Sequence, residues 1–121
     1  MNSYELMKKI ALCADNKKAK DIKILSLEGL TTIADYFVIC SGGSSTQVKA
    51  ISDEVEEKLK EEDIMPYGKE GFSMADWVLL DYSDVVLHVF TPDSREFFNI
   101  EKLWQDATEI DVNDILEINN D

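Results

Sequence analysis

Hydrophobic and polar positions change period several times along this chain, and each change marks an element. Ser3 suits the cap of a first helix in which Leu6, Met7, Ile10, Cys13 and Ala14 recur at helical spacing. Lys17 and Lys18 follow where a helix C-terminus favours cations. Residues 21–27 alternate and then become nearly continuous in apolar character before Glu28-Gly29, the pattern of a first strand. Residues 36–40 show no alternation, which predicts a central strand covered on both faces. Ser41-Gly42-Gly43-Ser44-Ser45 then makes a tight exit, and Ser44 with Gln47 has capping-box spacing for a helix running to about Glu62. Val48, Ile51, Val55 and Leu59 form its apolar stripe, while Glu54 with Lys58 and Glu56 with Lys60 sit at i,i+4 on a solvated face.

The second half begins with an edge-like segment at residues 65–71, because Pro66 cannot donate to a central ladder. A hairpin follows. With Ser83 and Asp84 as a two-residue turn, Tyr82 pairs with Val85, Leu80 with Leu87 and Val78 with Val89 on an aliphatic face that belongs in the core. The opposite face carries Trp77 beside Phe90, Leu79 beside His88 and Asp81 beside Val86, a mixture suited to a partner. From Asp93 or Ser94 a last amphipathic segment is expected to close the core with Phe97, Phe98, Ile100, Leu103 and Trp104. Beyond Ala107 the pattern decays into Asp111, Asp114, Glu117 and Asp121, an acidic tail expected to fray. This order of elements predicts one α/β domain with a mixed β-sheet flanked by helices.

Charge narrows the choice of partner. Twelve Lys and Arg stand against 25 Asp and Glu, a formal charge of −13 over 121 residues, which argues against phosphate-dominated, sequence-specific nucleic-acid binding and favours a basic protein partner. The length suits one domain. Cys13 and Cys40 lack CxxC spacing, so a reducing compartment fits, structural zinc does not, and both read as buried thiols. The N-terminal residues lack a basic leader and no stretch is apolar enough to span a bilayer, so the expected location is cytoplasmic.

Candidate chemistry is sparse. The Ser-Gly-Gly-Ser-Ser exit lies where helix amides can hold phosphate, but it lacks the GxxxxGK[ST] and GxGxxG patterns, and a capped turn uses the same residues. Such a turn also resembles that of nucleotidyltransferases, which add an acidic pair on a strand. Here Asp53 and Glu54 are adjacent on a helix and diverge by about 100°, poor geometry for gripping one metal pair. Asp81 and Asp84 flank a turn and suit turn residues as well as ion ligands. His88 is the sole histidine, which excludes a His-cluster metal site within one chain and leaves a structural or a recognition role open. Arg95 either clamps a carboxylate near the hairpin or fixes the last helix, the commoner use of arginine at a loop–helix junction.

Asp35-Tyr36-Phe37-Val38-Ile39, Ser41-Gly42, Gln47-Val48-Lys49-Ala50-Ile51, Glu70-Gly71, Trp77-Val78-Leu79-Leu80-Asp81-Tyr82, His88-Val89-Phe90, Arg95-Glu96-Phe97 and Leu103-Trp104 together carry a resemblance. In order and spacing they resemble the ribosomal silencing factor family (RsfS, also called Iojap), from the first helix to about Ala107. A family domain over 1–110 and an acidic tail over 111–121 are therefore expected. The resemblance implies a nucleotidyltransferase-like fold without the catalytic acidic pair, with no enzymatic activity and no cofactor or metal. It implies binding to the large ribosomal subunit through ribosomal protein fourteen, where the factor blocks joining of the small subunit and represses translation under starvation. Phe98 stands where many relatives have tyrosine, and Ser83 where many have glycine.

The expected partner face combines this resemblance with the alternation: Trp77 and Phe90 as anchors, Leu79 between them, and Asp81, His88 and Glu70 pairing with basic or polar groups. A homodimer through the same face and an active nucleotide-binding or nucleotidyltransferase-type enzyme are the alternatives.

Overall fold

Local signals place most of the elements. The structure, a computed structural model, describes residues 1–116. Asn2, one residue before the expected Ser3, caps α1 (Ser3–Asn16) by accepting the Glu5 N–H on its side-chain oxygen at 2.8 Å. β1 (Lys20–Ser26) and β2 (Tyr36–Ser41) follow, and α2 (Ser45–Lys60) starts from Ser44, whose hydroxyl accepts the Gln47 N–H at 3.2 Å. The reciprocal half of the expected capping box is missing: the Gln47 amide instead donates to the Lys17 carbonyl at 3.1 Å and ties the start of α2 to the end of α1. Then come β3 (Gly68–Glu70), β4 (Trp77–Asp81), β5 (Val85–Phe90), α3 (Pro92–Phe98), α4 (Ile100–Leu103), β6 (Thr108–Ile110) and α5 (Val112–Leu116).

The strands form one mixed sheet in the order β3-β4-β5-β2-β1-β6. Among the described residues only the β2–β5 pair is parallel, and β2 lies inside the sheet with every residue after Tyr36 buried, as its continuous apolar run predicts. β3, which follows Pro66, is an edge strand.

Alternation along the strands divides the core into two layers. One face of the sheet sends Ile24, Val38, Val78, Leu80, Leu87 and Val89 toward Met7, Ile10, Val48, Ile51, Val55 and Leu59 of α1 and α2. The other face sends Leu25, Phe37, Ile39 and Phe90 toward a thinner cover in which Ile100 and Trp104 are partly buried. On α2 the expected i,i+4 pairs do not form. Glu56 meets Lys69 of β3 at 3.3 Å and Lys58 meets Glu61 at 3.7 Å, because the edge strand offers Glu56 a cation across the gap.

Two expectations about the C-terminal third are corrected. The last amphipathic segment is two short helices broken at Asn99, whose left-handed φ of 45° ends α3. Phe97 (80% exposed), Phe98 (49%) and Leu103 (77%) therefore stay outside the core, and only Ile100 and Trp104 of the five named residues pack inward. The supposed tail is also structured over its described part. β6 pairs antiparallel with β1, Ile24 opposite Ile110, and α5 packs on α1 and β1 with Ile115 only 1% exposed. Glu117 and Asp121 of the tail lie outside the described residues.

Because Ile115 fills the same cluster as Met7 and Ile10, Ile115→Ala is expected to lower stability by about 2–4 kcal/mol, read as a fall in the urea midpoint with unchanged slope. A tail that frays from residue 111 would instead leave the midpoint unmoved.

Candidate partner-binding face

The register of the hairpin builds the site. Trp77 faces Phe90, Leu79 faces His88 and Asp81 faces Val86, while on the other edge Glu70 faces Leu79. The pairing expected from alternation is therefore the one formed, and Glu70, Trp77, Leu79, Asp81, His88 and Phe90 all share one face of β3, β4 and β5. At the turn, Ser83 adopts a φ of 72° and its N–H donates to Asp81 Oδ1 at 2.7 Å, which satisfies the strained residue locally. Asp81 thus serves the turn with one carboxylate oxygen.

Depth separates these six residues. Glu70 is exposed, and Trp77, Leu79 and Asp81 are half-buried. His88 and Phe90 are buried, which removes them from direct contact with anything docked on this conformation. They form a floor. Trp77 stacks on Phe90 with ring centres 4.9 Å apart, and its indole N–H donates to His88 Nδ1 at 3.1 Å. Phe37 meets His88 edge-on at 4.6 Å, and Trp104 closes against Phe37 at 5.5 Å.

Above this floor lies a patch that the periodicity did not indicate. Phe98 sits 4.9 Å from Trp77, and Phe97, 80% exposed, stands edge-on to Phe98 at 5.0 Å. A signal for it was present in the sequence. Adjacent Phe97 and Phe98 point about 100° apart on a helix, so a narrow core-facing stripe cannot hold both.

Two positive-φ residues shape the loop ahead of Trp77. Gly71 has a φ of 86°, and a Cβ there would fall 1.9 Å from the Trp77 carbonyl oxygen. Ala75 is buried at a φ of 57° and its N–H donates to the Gly71 carbonyl at 2.8 Å. Glu70-Gly71 thus matters through its glycine, which lets the loop touch the strand.

Arg95 fixes the last helices. Its guanidinium grips Glu101 through two bonds of 3.1 Å and donates to the Ser41 hydroxyl at 2.9 Å, so α3 and α4 are tied to each other and to the end of β2. The Arg95 hydrogen bonds hold the Glu101 carboxyl below the usual carboxylate range, against an opposing push from partial burial. A cleft of about 350 Å³ beside this pair is lined by Lys20, Ser41, Gly42, Gly43 and Asn99 among others. Gly42 is needed there because a Cβ would meet the Val48 amide nitrogen at 2.9 Å, which accounts for the glycine by helix packing.

The remaining candidates fall apart in space or in chemistry. Cys40 is buried and its thiol is pushed up to about 12 by desolvation, which suits a core side chain. Asp53 is exposed on α2 and Glu54 is half-buried. Among the described residues no group of three or more His, Cys, Asp or Glu side chains could hold a metal ion, and no helix is long and apolar enough to cross a membrane.

The chain is an α/β domain with a glycine-serine exit after β2 and a half-open aromatic face on β4. Comparison with known proteins gives its family. Residues 1–121 match the family model "Ribosomal silencing factor during starvation". The chain is 46% identical over 112 residues to the ribosomal silencing factor RsfS of Bacillus subtilis, covering 93% of this chain and 95% of that one. A crystal structure of a Chromobacterium violaceum protein superposes with a TM-score of 0.84 at 37% identity, covering 87% of this chain and 88% of that one. A more distant mouse relative, named mitochondrial assembly of ribosomal large subunit protein 1, is 33% identical over 91 residues, 73% of this chain and 40% of its own length. The chain belongs to the ribosomal silencing factor (RsfS) family.

Two outcomes follow from the geometry. Burial lowers the His88 pKa from its ordinary 6.5 to about 4, and the side chains around it are the aromatic rings of Phe37, Trp77 and Phe90 with Leu79 and Ile39 beside it on neighbouring strands. The unfolded chain then takes up this proton first. The contribution of neutral His88 to stability is fully present above 6.5 and is lost as pH falls from there toward about 4. Between about pH 7 and pH 4.5 the wild type should lose about 2 kcal/mol more than His88→Phe in parallel urea titrations. Gly71→Ala should cost more than about 2 kcal/mol by the same measurement, since it combines positive φ with a backbone collision.

Proposed function

We propose that this chain binds the large ribosomal subunit through ribosomal protein fourteen, sterically blocks joining of the small subunit and so represses translation when nutrients are short. It acts as a repressor and not a catalyst, in the cytoplasm where the subunits join. The observation that carries the reading is the run of ring contacts from Trp77 through Phe98 to exposed Phe97, with Glu70 and Asp81 on the same strand face and Asp93 and Glu96 exposed on α3. Aromatic anchors with an acidic rim suit a basic protein surface, because the rings supply desolvation energy while the carboxylates steer and orient the partner. Family membership supports the ribosomal setting, and the name of the mouse relative supports the large subunit. The net charge of −13 supports a protein contact over a phosphate contact.

In this reading Trp77, Leu79, Phe97 and Phe98 touch the partner, Glu70 and Asp81 pair with its cations, and Phe90 and His88 hold the surface from beneath. Self-association through the same face is the second reading, favoured by the exposure of Phe97 and Leu103.

Sedimentation of the purified chain with separated subunits tests the proposal. It should travel with the large subunit, reduce the joined-ribosome peak, and lose more than about 1 kcal/mol of affinity on Trp77→Ala or Phe97→Ser in folded protein. Binding to neither subunit would sink the reading, and a dimer that Phe97→Ser dissociates would assign the face to self-association.

A further inference from the structure

The partner-facing indole is not held by packing alone. Trp77 Nε1 lies 3.1 Å from His88 Nδ1, and the imidazole beneath it is buried and flanked by Phe37 and Phe90. Since Nδ1 accepts this bond, the proton of neutral His88 sits on Nε2, and Nε2 has no hydrogen-bond partner among the described residues. A buried N–H without an acceptor costs about 1–3 kcal/mol. A phenylalanine would fill the same aromatic layer without that penalty. What histidine offers here and phenylalanine does not is an acceptor aimed at the indole.

We infer that His88 is a positioning residue of the partner-binding face: its Nδ1 fixes the Trp77 indole in the orientation that stacks on Phe90 and abuts Phe98, so the anchor is set before the partner arrives. The inference rests on the proposed use of this face. Its chemistry goes further than the assignment of contact residues, because it also determines what Trp77 presents. With its only N–H engaged inward, Trp77 offers a partner carbon edge and π surface alone. The feature it meets is an aliphatic side chain or a cation set over the ring, and not a hydrogen-bond acceptor. Preorganisation of this kind raises affinity by removing the entropy cost of immobilising a large side chain on binding.

The test separates this claim from the function it serves. Trp77 and Trp104 are the only two tryptophans, so their indole N–H signals can be followed individually by NMR, with Trp104 as the internal reference. In His88→Phe the Trp77 indole N–H should exchange with solvent at least roughly tenfold faster relative to Trp104, and affinity for isolated large subunits should fall roughly fivefold. His88→Asn places an amide oxygen near the position of Nδ1 and should recover most of both changes. Incorporating benzothienylalanine at position 77 removes the donor from the other partner without altering ring shape, and should reproduce the affinity loss should His88→Phe fail to fold. Unchanged indole exchange in folded His88→Phe would overturn the inference, as would equal affinity losses in the Phe and Asn variants or full affinity with benzothienylalanine. A wild type that binds no large subunit while His88→Phe still frees the indole would overturn the function reading and leave the positioning bond itself upheld.

Discussion

The register of β4 against β5 is the constraint on which the rest of the molecule depends. Side chains alternate along each strand, so a slip of one residue would bring Trp77, Leu79 and Asp81 into the layer beneath α1 and α2 and expel Val78 and Leu80. The turn prevents this. Asp81 accepts the Ser83 N–H, Ser83 tolerates a left-handed φ, and the Tyr82 N–H donates to the Val85 carbonyl at 2.9 Å. The Asp84 carbonyl accepts from Asp35 and Tyr36, which carries the same register across to the parallel strand β2.

The two faces of the sheet are finished to different degrees. The first is roofed by α1, α2 and α5, while the second receives Ala34, Ile100, Trp104 and Ala107, with the Arg95–Glu101 clamp at the end of β2. Between that partial roof and the edge strand β3, Trp77 and Leu79 remain half-open. One aromatic layer is therefore graded from buried Phe37 and His88 through Trp77 to Phe97 at the surface. The free surface exists because the covering segment is too short and too broken to complete the layer.

How much of this was legible follows from what periodicity can express. Val78, Leu80, Leu87 and Val89 were readable as core, and the six face residues as neighbours, since alternation fixes sides. It does not fix depth. Nothing in the spacing of His88 and Phe90 says that Trp77 will lie over them, because that cover is supplied by the same strand pair and by Phe98 from a distant element. The helical reading of residues 92–107 assumed one continuous axis, and Asn99 in a left-handed conformation ended it. β6 and α5 were missed because their acid-rich sequence has weak local preference. Edge pairing with β1 and burial of Val112 and Ile115 against α1 decide their structure instead. The family resemblance was readable because its motifs span the length of the domain, whereas the contribution of Phe97 and Phe98 to the face needed three dimensions.

The closure of β6 and α5 onto β1 and α1 has a consequence for how this chain is made. The first helix and first strand leave the ribosome early, yet the elements that complete their layer lie at residues 108–116. Throughout synthesis, the flank of α1 that Ile115 covers has no native neighbour on that side, and β1 has an unpaired edge. Domains acquire their final packing as units during translation. This one therefore cannot finish until residue 116 has cleared the exit tunnel, and until then a nascent copy carries an open sheet edge that a chaperone or a neighbouring chain can reach.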